Sequence, residues 1–426
     1  MKLSIQNLAK IKRADIELNG ITVIAGDNDT GKSTVGKALY AMFNGFHDLA
    51  GNVSVQRINS IANAVSSGII GYDDFPYKRV PYIKNADDWL DLISEMTKEQ
   101  ALSSDFILEK AKSMVEEKYD FNIFDNEEKY FELKQRVDRI LHITDDEIIR
   151  QIISDEFNAV FHNQVNSLYD NSDTWVEMII KNQPVKAVIK SNSCTNAKIL
   201  FNLVHSAVYV DDPLIIDRLS TGRLSTDNIV VRDLIRRLRY TKNNDLLTNI
   251  VNEKTLNEVI KIINRTVPGD FMRKDKQVVL QRSDFREPLN VSNLSTGVKA
   301  FAVPKLLMQN NQISEKDVLI LDEPEIHLHP EWQVLYAEFL VLFQKAFDLT
   351  VLLTTHSPYF LNAIEVFSRK YDRLSSVNYY QTKIEDDNMV TLVEVTDRLN
   401  EIYGSMAAPF NILREMESEL ELGMES

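Results

Sequence analysis

An α/β fold with a mixed or parallel core sheet is predicted by three features of this 426-residue sequence. Strand and helix patterns alternate in residues 293–370, which is typical of parallel strands joined by helices. A glycine-bearing loop at residues 26–34 lies between a β-rich run and a helical pattern. Short β-rich runs within residues 1–25 indicate an N-terminal β-subdomain, and residues 50–170 have a mainly helical pattern. Together these features predict a sheet-based domain that carries a helical insertion.

Changes in these patterns divide the chain into five segments. The first lobe, with the glycine loop, covers residues 1–49, and the mainly helical insertion covers residues 50–172. A β-subdomain with a helical lobe follows at 173–292. Residues 293–370 complete the core of the sheet, and residues 371–426 form a C-terminal segment with an acidic tail.

Several local elements are also predicted. Thr144 and Glu147 have the spacing of a capping box at a helix start. Two hairpins are expected, at residues 176–189 and 277–291, because β-rich runs flank turn-forming residues there. The acidic residues 415–425 are expected to be a frayed end.

Composition limits the classes of protein to which the chain can belong. The net charge of −15 argues against a broadly basic nucleic-acid-binding surface, although a local groove stays possible. We interpret the best basic cluster, within residues 232–242, as the solvated face of a helix. Cys194 is the only cysteine, so no intrachain disulfide can form, and a reduced thiol in a cytoplasmic protein is expected. No apolar run reaches the roughly 18 residues of a membrane helix, so no membrane association is expected.

The glycine loop is the first motif that carries chemistry. It fits G-x-x-x-x-G-K-[ST], in which glycines let successive backbone N–H groups face phosphate oxygens and the next helix adds its positive end. Lys32 would reach the β- and γ-phosphates of a nucleotide, and the Ser33 hydroxyl would ligate Mg²⁺. The alternative is a glycine turn that merely precedes a helix. The candidate phosphate-binding residues are Gly26, Asp27, Asn28, Asp29, Thr30, Gly31, Lys32, Ser33 and Thr34.

The second motif is an apolar run, residues 318–321, that ends in two carboxylates. Ligands of open α/β sheets bind at this end of the strands. Asp322 would hold Mg²⁺ through its water shell, and Glu323 would polarise the water that attacks a γ-phosphate. The alternative is a pair of surface acids. Buried strands rarely end in two carboxylates without a partner cation, which favours the magnesium interpretation.

Two further motifs are weak when taken alone. Ser295, Gly297 and Lys299 lie at a predicted helix start, where a hydroxyl and backbone amides would bind a second phosphate group. The default interpretation of Ser295 is an ordinary helix cap. His356 follows an apolar strand, where it would hydrogen-bond a γ-phosphate and sense its loss. A single histidine at a strand end is usually structural.

The order and spacing of the four motifs resemble the ABC ATPase superfamily. The residues D-E-P-E-x-x-L-H-P-x-x-Q from Asp322 to Gln333, followed by T-T-H-S-P, resemble the overcoming-lysogenization-defect (OLD) type ATPases. That group includes ATPase subunits of the Septu, PARIS and retron antiphage systems. The resemblance covers residues near 1–45 and 175–365, and hardly covers the insertion. It implies an ABC-type P-loop NTPase fold with ATP and Mg²⁺ as ligands.

The resemblance also implies a head-to-tail homodimer, with each ATP held between the P-loop of one subunit and residues 295–299 of the other. By resemblance, His327 and His329 lie in the loop that meets the partner subunit rather than in a metal site. Two departures matter. The glutamine of the family's Q-loop has no assignable position. The stretch after His356 contains Asp386 and Asp387 but lacks the glycine and acidic pattern of a Toprim nuclease domain.

Three hypotheses about function follow. The first is an ATPase that regulates a separate effector, a nuclease, in prokaryotic antiviral defence. The second is an SMC-like DNA-repair ATPase, against which the missing coiled-coil arms and basic face argue. The third is an assembly scaffold that depends on nucleotide binding and turns ATP over slowly. A membrane-transport cassette fits the motif wording less well. Effector, trigger, and the choice between DNA and RNA stay open at this stage.

Overall fold

The computed structural model describes residues 1–70, 103–119, 127–220, 228–241, 257–275 and 277–424. The chain divides into two compact units, Met1–His47 with Ile153–Ser426, and Asp48–Ile152. The second unit ends at Ile152, whereas the sequence placed the end of the insertion at residue 172. The following residues belong to the first unit because Phe157 is fully buried there and the Ser154 hydroxyl accepts the backbone N–H of Cys194 (2.8 Å).

The first unit is built on an 11-stranded mixed sheet with the order β6-β5-β4-β1-β2-β14-β13-β3-β12-β11-β7. A separate sheet has the order β10-β9-β8. The strands are β1 (Lys2–Leu8), β2 (Ile11–Glu17), β3 (Ile21–Ala25), β4 (Thr174–Ile180), β5 (Gln183–Lys190), β6 (Ser193–Lys198), β7 (Ala207–Val210), β8 (Asp270–Lys274), β9 (Gln277–Gln281), β10 (Leu289–Asn290), β11 (Val318–Asp322), β12 (Thr350–Thr355), β13 (Val377–Ile384) and β14 (Val390–Glu394).

The parallel part of the large sheet consists of β13, β3, β12, β11 and β7. Its inner strands are apolar and buried on both faces, as parallel sheets require. The register pairs Ala25 with Thr355 and Asp322 with Thr354. The carboxyl ends of β3, β11 and β12 therefore share one edge of the sheet. The other half, from β6 to β2, is antiparallel and confirms the predicted N-terminal β-subdomain and the hairpin at 176–189.

Helices cover both units. They are α1 (Lys32–Phe46), α2 (Leu49–Ile70), α3 (Ser104–Tyr119), α4 (Glu127–His142), α5 (Asp145–Phe161), α6 (Ile229–Arg239), α7 (Asn257–Thr266), α8 (Thr296–Gln309), α9 (Pro330–Phe347), α10 (Pro358–Lys370) and α11 (Leu399–Met424). The capping box is confirmed, since the Thr144 N–H donates to Glu147 Oε2 (2.8 Å). No described helix is long and apolar enough to cross a bilayer.

The main core lies between the parallel strands and helices α8 to α10. Phe301 is fully buried in this core, in edge-to-face contact with Tyr336 at 5.0 Å between ring centroids and with Trp332 at 5.7 Å. Aromatic rings at this spacing attract one another beyond the effect of their burial. The predicted α/β class with a mixed core sheet and a helical insertion is confirmed.

The C-terminal segment differs from its prediction. Strands β13 and β14 insert between β3 and β2 in the large sheet. The sequence predicts a frayed end at residues 415–425, and in the structure residues 415–424 form the last turns of α11. Its first turns are anchored by Ile402, which is 1% exposed in the main core. The second expected hairpin exists as β9 and β10, and β8 adds a third strand on the other side.

The basic cluster at residues 232–242 is not a solvated face throughout. Arg232 and Arg236 are exposed, but Arg237 and Arg239 are buried in α6. Arg237 Nε donates to Asp233 Oδ2 (2.8 Å), and its guanidinium also donates to Ser206 Oγ (3.2 Å). A buried guanidinium requires such acceptors, and α6 packs close enough to β7 to supply them. Residue 242 lies outside the described residues.

Candidate functional site

The glycine loop closes tightly at the carboxyl end of β3. Gly31 has φ 76°, in the left-handed region that glycine adopts without strain. The Lys32 side chain is buried, and its Nζ donates to the carbonyls of Gly26 (3.0 Å) and Asp27 (2.8 Å). The loop therefore curls around its own lysine, as phosphate-binding loops do around a phosphate.

A strand from the far end of the chain supports this loop. Thr382 on β13 donates to Thr30 Oγ1 (2.9 Å), which in turn donates to the Asp27 carbonyl (2.7 Å). A Cβ added to Gly26 would lie 1.8 Å from Thr382 Oγ1, so a larger residue there would displace Thr382 or the loop. Sequence reasoning missed Thr382. The β-rich run 377–384 signals a strand, but nothing in it signals a place beside the P-loop.

The turn between β1 and β2 closes the other side of the loop. Ile11 Cδ1 would lie 2.7 Å from a Cβ on Gly31. Lys10 forms an ion pair with Asp29 of the loop. Gly31 is therefore required by its backbone conformation, whereas Gly26 is favoured by its close packing against Thr382.

The acidic pair at the end of β11 is held by hydroxyl groups. Asp322 Oδ2 accepts from the Tyr209 hydroxyl (2.8 Å), and Oδ1 accepts from the Thr354 hydroxyl (2.5 Å). Burial, followed by the charge of Asp322, raises the pKa of Tyr209 well above its ordinary value. Tyr209 thus stays a neutral donor to the Asp322 carboxylate. A strand at residues 206–210 is predictable from its apolar run, but no local pattern indicates that Tyr209 on β7 contacts Asp322.

Glu323 is aimed into the site by its backbone. Its φ is 47°, an unusual value for a residue with a side chain, and its N–H donates to Thr354 Oγ1 (3.0 Å). Glu323 Oε1 lies 3.3 Å from Lys32 Nζ, and Oε2 lies 3.5 Å from His356 Nδ1. Strain of this kind is often stored at functional sites. The structure therefore brings Lys32, Glu323 and His356 together.

Ser33 and Asp322, the two predicted magnesium ligands, lie on elements that pack together. A Cβ on Gly36 of α1 would lie 3.0 Å from both Tyr209 and Ile320, so this face of α1 packs on β7 and β11. Ser33 is three residues earlier, on the same helix face and one turn nearer the sheet edge that carries Asp322. A hydroxyl and a carboxylate are ligands that Mg²⁺ prefers in proteins. Within the described residues, no group of three or more His, Cys, Asp or Glu side chains could hold a metal by itself.

The predicted second phosphate site lies at the start of α8. Ser295 is the N-cap residue and exposed, and its hydroxyl makes no capping hydrogen bond. A Cβ on Gly297 would lie 3.2 Å from the Trp332 ring. Lys299, which the sequence predicts to be a nucleotide ligand, is paired within the chain. Its Nζ is buried, 2.7 Å from Asp217 Oδ1 and 3.1 Å from the Ser292 carbonyl that accepts from it. The Lys299 ammonium therefore links α8 to Asp217 and to the Ser292 carbonyl.

Comparison with known sequences gives the family. Residues 21–362 match the family described as "AAA domain, putative AbiEii toxin, Type IV TA system". The chain belongs to this AAA-domain family. Comparison with curated proteins finds no match. Family membership and the geometry of the loop together establish an ATPase-type P-loop domain.

Three solved structures are similar to this AAA-domain chain. The SMC head domain from Thermotoga maritima is 12% identical, with TM-score 0.40, and the match covers 92% of this chain and 98% of that one. An SMC head bound to the C-winged helix domain of ScpA is 9% identical, with TM-score 0.41, and coverages of 92% and 96%. An Smc head with an extended coiled coil, bound to the C-terminal domain of ScpA derived from Pyrococcus furiosus, is 11% identical, with TM-score 0.34 and coverages of 98% and 98%.

Proposed function

We propose that the chain is an ABC-type ATPase that binds ATP with Mg²⁺, closes as a head-to-tail homodimer and hydrolyses the nucleotide. The observation that carries this proposal is that the Glu323 carboxylate lies within 3.5 Å of both Lys32 Nζ and His356 Nδ1 at the carboxyl edge of the sheet. A lysine in a glycine loop, a carboxylate and a histidine are the groups that phosphoryl transfer to water requires.

Each residue has a distinct part in this proposal. Lys32 exchanges its loop carbonyls and Glu323 for the β- and γ-phosphates when ATP binds. Glu323, released from Lys32, accepts a hydrogen bond from the attacking water and aligns it with the γ-phosphorus. His356, which lies beside the Glu323 oxygen that does not face Lys32, donates a hydrogen bond to the γ-phosphate. Ser33 and Asp322 would hold Mg²⁺, which neutralises charge that develops on the phosphates.

The dimer is proposed because the groups at the start of α8 have no evident role within a single chain. The uncapped hydroxyl of Ser295 and the first amides of α8 form a phosphate-binding device. We assign Ser295 and Gly297 to the nucleotide held by the partner subunit. Ile326 and Tyr359, which flank the acidic pair and His356 in sequence, are 54% and 63% exposed. Large apolar side chains at such a position suit a contact with a second copy.

The biological role that we propose is control of a separate effector, a nuclease, in antiviral defence inside a prokaryotic cell. It is supported by the OLD-like residues from Asp322 to Gln333 and by the unit Asp48–Ile152, which contains none of the four motifs. That unit is the natural place for recognition of an effector or trigger. The SMC-like alternative predicts DNA binding that weakens steeply with salt.

The ATPase proposal is tested by Lys32→Ala and Glu323→Gln in the full chain. Lys32→Ala should abolish ATP binding measured by calorimetry. Glu323→Gln should bind ATP, lose turnover by at least about 100-fold, and sediment as a dimer with ATP but not with ADP. Lys261→Ala and Glu315→Gln, which change exposed side chains elsewhere, are the matched controls. Normal ATP binding by Lys32→Ala would contradict the proposal.

The effector proposal needs a separate experiment. The products of neighbouring genes are co-expressed with the chain, and the activity of any co-purified protein is measured with and without ATP. Loss of control in Lys32→Ala but not in Glu323→Gln would show that binding rather than turnover is the function, as in a scaffold. Protection of cells by this chain alone would contradict the effector proposal.

A further inference from the structure

A buried carboxyl group lies beneath the candidate site. Glu325 is 1% exposed, two residues after the proposed catalytic Glu323. Its Oε1 accepts the Thr355 hydroxyl and the backbone N–H of His356 (3.2 Å). Its Oε2 is buried and has no hydrogen-bond partner within the described residues. Native proteins seldom bury a polar atom in this way without a reason.

The hydrogen bonds of Glu325 fix the turn that carries His356. The Ser357 N–H donates to Thr355 Oγ1 (3.0 Å), and that hydroxyl donates to Glu325 Oε1. One carboxylate oxygen therefore organises two successive backbone amides, directly at His356 and through Thr355 at Ser357. An apolar residue in place of Glu325 would leave the His356 N–H without its acceptor, and the turn would rearrange to satisfy it.

A second side chain ties the same turn from the other side. Gln333, at the start of α9, accepts the Ser357 hydroxyl through Oε1 (2.7 Å). Its Nε2 donates to the Leu328 carbonyl (3.0 Å). The turn at His356 is thus joined at two points to the segment that follows the acidic pair.

The His356 ring stands between this anchored turn and the reacting groups. Its Nδ1 lies 3.5 Å from Glu323 Oε2 and 4.0 Å from Glu325 Oε1, and its side chain is 44% exposed. Hydrogen bonds hold the His356 backbone, and the position of that backbone sets where the partly exposed imidazole can reach.

We propose that Glu325 is a positioning residue that holds the His356 backbone so that the imidazole faces Glu323 and the γ-phosphate. The inference rests on the proposed ATPase activity and assigns to that site a residue that does not touch the nucleotide. Burial raises the pKa of Glu325, and the hydrogen bonds from Thr355 and the His356 N–H, which favour the anion, oppose that rise.

Kinetics test the inference in the full chain. Glu325→Ala should lower kcat for ATP by about 10- to 100-fold and leave KM within about twofold, because nucleotide binding depends on the P-loop. Glu325→Gln retains an acceptor oxygen and should restore most of kcat. Glu325→Ala combined with His356→Ala should be no slower than His356→Ala alone. Additive losses, or equal losses for Glu325→Gln and Glu325→Ala, would overturn the inference.

A second readout does not depend on hydrolysis. The ring resonances of His356 are assigned by their absence in His356→Ala and compared among variants without nucleotide. Glu325→Ala and the milder Thr355→Val should shift them, and the surface control Glu315→Ala should not. If the Glu325 variants show unshifted resonances and a normal kcat, the positioning inference is wrong and the ATPase proposal stands. If the resonances shift but the parent chain binds no ATP, the positioning role stands and the ATPase proposal is wrong.

Discussion

Lys32 Nζ and Glu323 Oε1 lie 3.3 Å apart, so the lysine of the P-loop is paired with the proposed catalytic carboxylate. The same ammonium donates to two carbonyls of its own loop. Its charge is therefore satisfied within the chain before any phosphate arrives. In the proposed mechanism, ATP binding exchanges these partners and releases Glu323 for the attacking water in the same step.

This exchange predicts the effect of Glu323→Gln on affinity. The substitution removes a charge that competes for Lys32 and repels the γ-phosphate, so ATP affinity should rise by about tenfold, or 1.4 kcal/mol. ADP lacks the γ-phosphate and should gain much less. Calorimetric titration of both nucleotides checks the difference, with Glu315→Gln as the control. An equal gain for ADP and ATP would show that the repulsion is not with the γ-phosphate.

The contact between Gly26 and Thr382 predicts a rescue. Gly26→Ala places a Cβ 1.8 Å from Thr382 Oγ1 and should lower ATP affinity by at least about tenfold by displacing the loop. Thr382→Ala removes that oxygen, so the double variant should recover part of the affinity. Thr391→Ala, on the neighbouring β14, serves as the control second substitution. If Thr382→Ala gives no recovery, the strand does not set the shape of the loop.

Glu156 predicts a pH-dependent stability. Burial, with a smaller contribution from Asp233, raises the pKa of Glu156 from 4.5 to about 7. Between about pH 4.5 and 7 the folded chain keeps a proton that the unfolded chain has lost, so the contribution of Glu156 to stability is fully present below about pH 4.5 and is lost as pH rises through about 7. The fall should be about 2 kcal/mol, allowing for partial exposure.

Urea unfolding at pH 5 and pH 8 measures this change. Glu156→Gln should flatten the dependence between the two pH values, and Glu315→Gln should leave it as in the parent chain. An unchanged slope in Glu156→Gln would assign the dependence to another group.

Lys299 and Ser295 should separate stability from assembly. Lys299→Ala breaks the 2.7 Å ion pair with Asp217 and should lower the free energy of unfolding by about 1 kcal/mol, with ATP binding to the dilute chain unchanged. Ser295→Ala should leave stability unchanged and weaken the ATP-dependent dimer in the Glu323→Gln background. Thermal unfolding and sedimentation give the two readouts. A stable Lys299→Ala chain that binds ATP weakly would restore Lys299 as a nucleotide ligand.

Much of the sheet core could be predicted from local patterns. We could recognise the apolar runs at β3, β11 and β12 and the glycine loop after β3, because each is encoded within a few adjacent residues. The same holds for the capping box at Thr144. The prediction was wrong where burial depends on distant packing, as for Arg237, which is charged in sequence yet buried against β7.

The sequence by itself determined which residues follow the ends of β3, β11 and β12, including Lys32, Glu323 and His356. Apolar periodicity and sequence motifs extend over only a few adjacent residues, so both can be recognised without the fold. Only the tertiary structure decided what surrounds them. Thr382 meets Thr30 across 352 residues, and Tyr209 meets Asp322 across 113. Such contacts arise when strands that are far apart in the chain become neighbours in one sheet. The residues that make these contacts have no regular spacing in the sequence, so no local pattern predicts them.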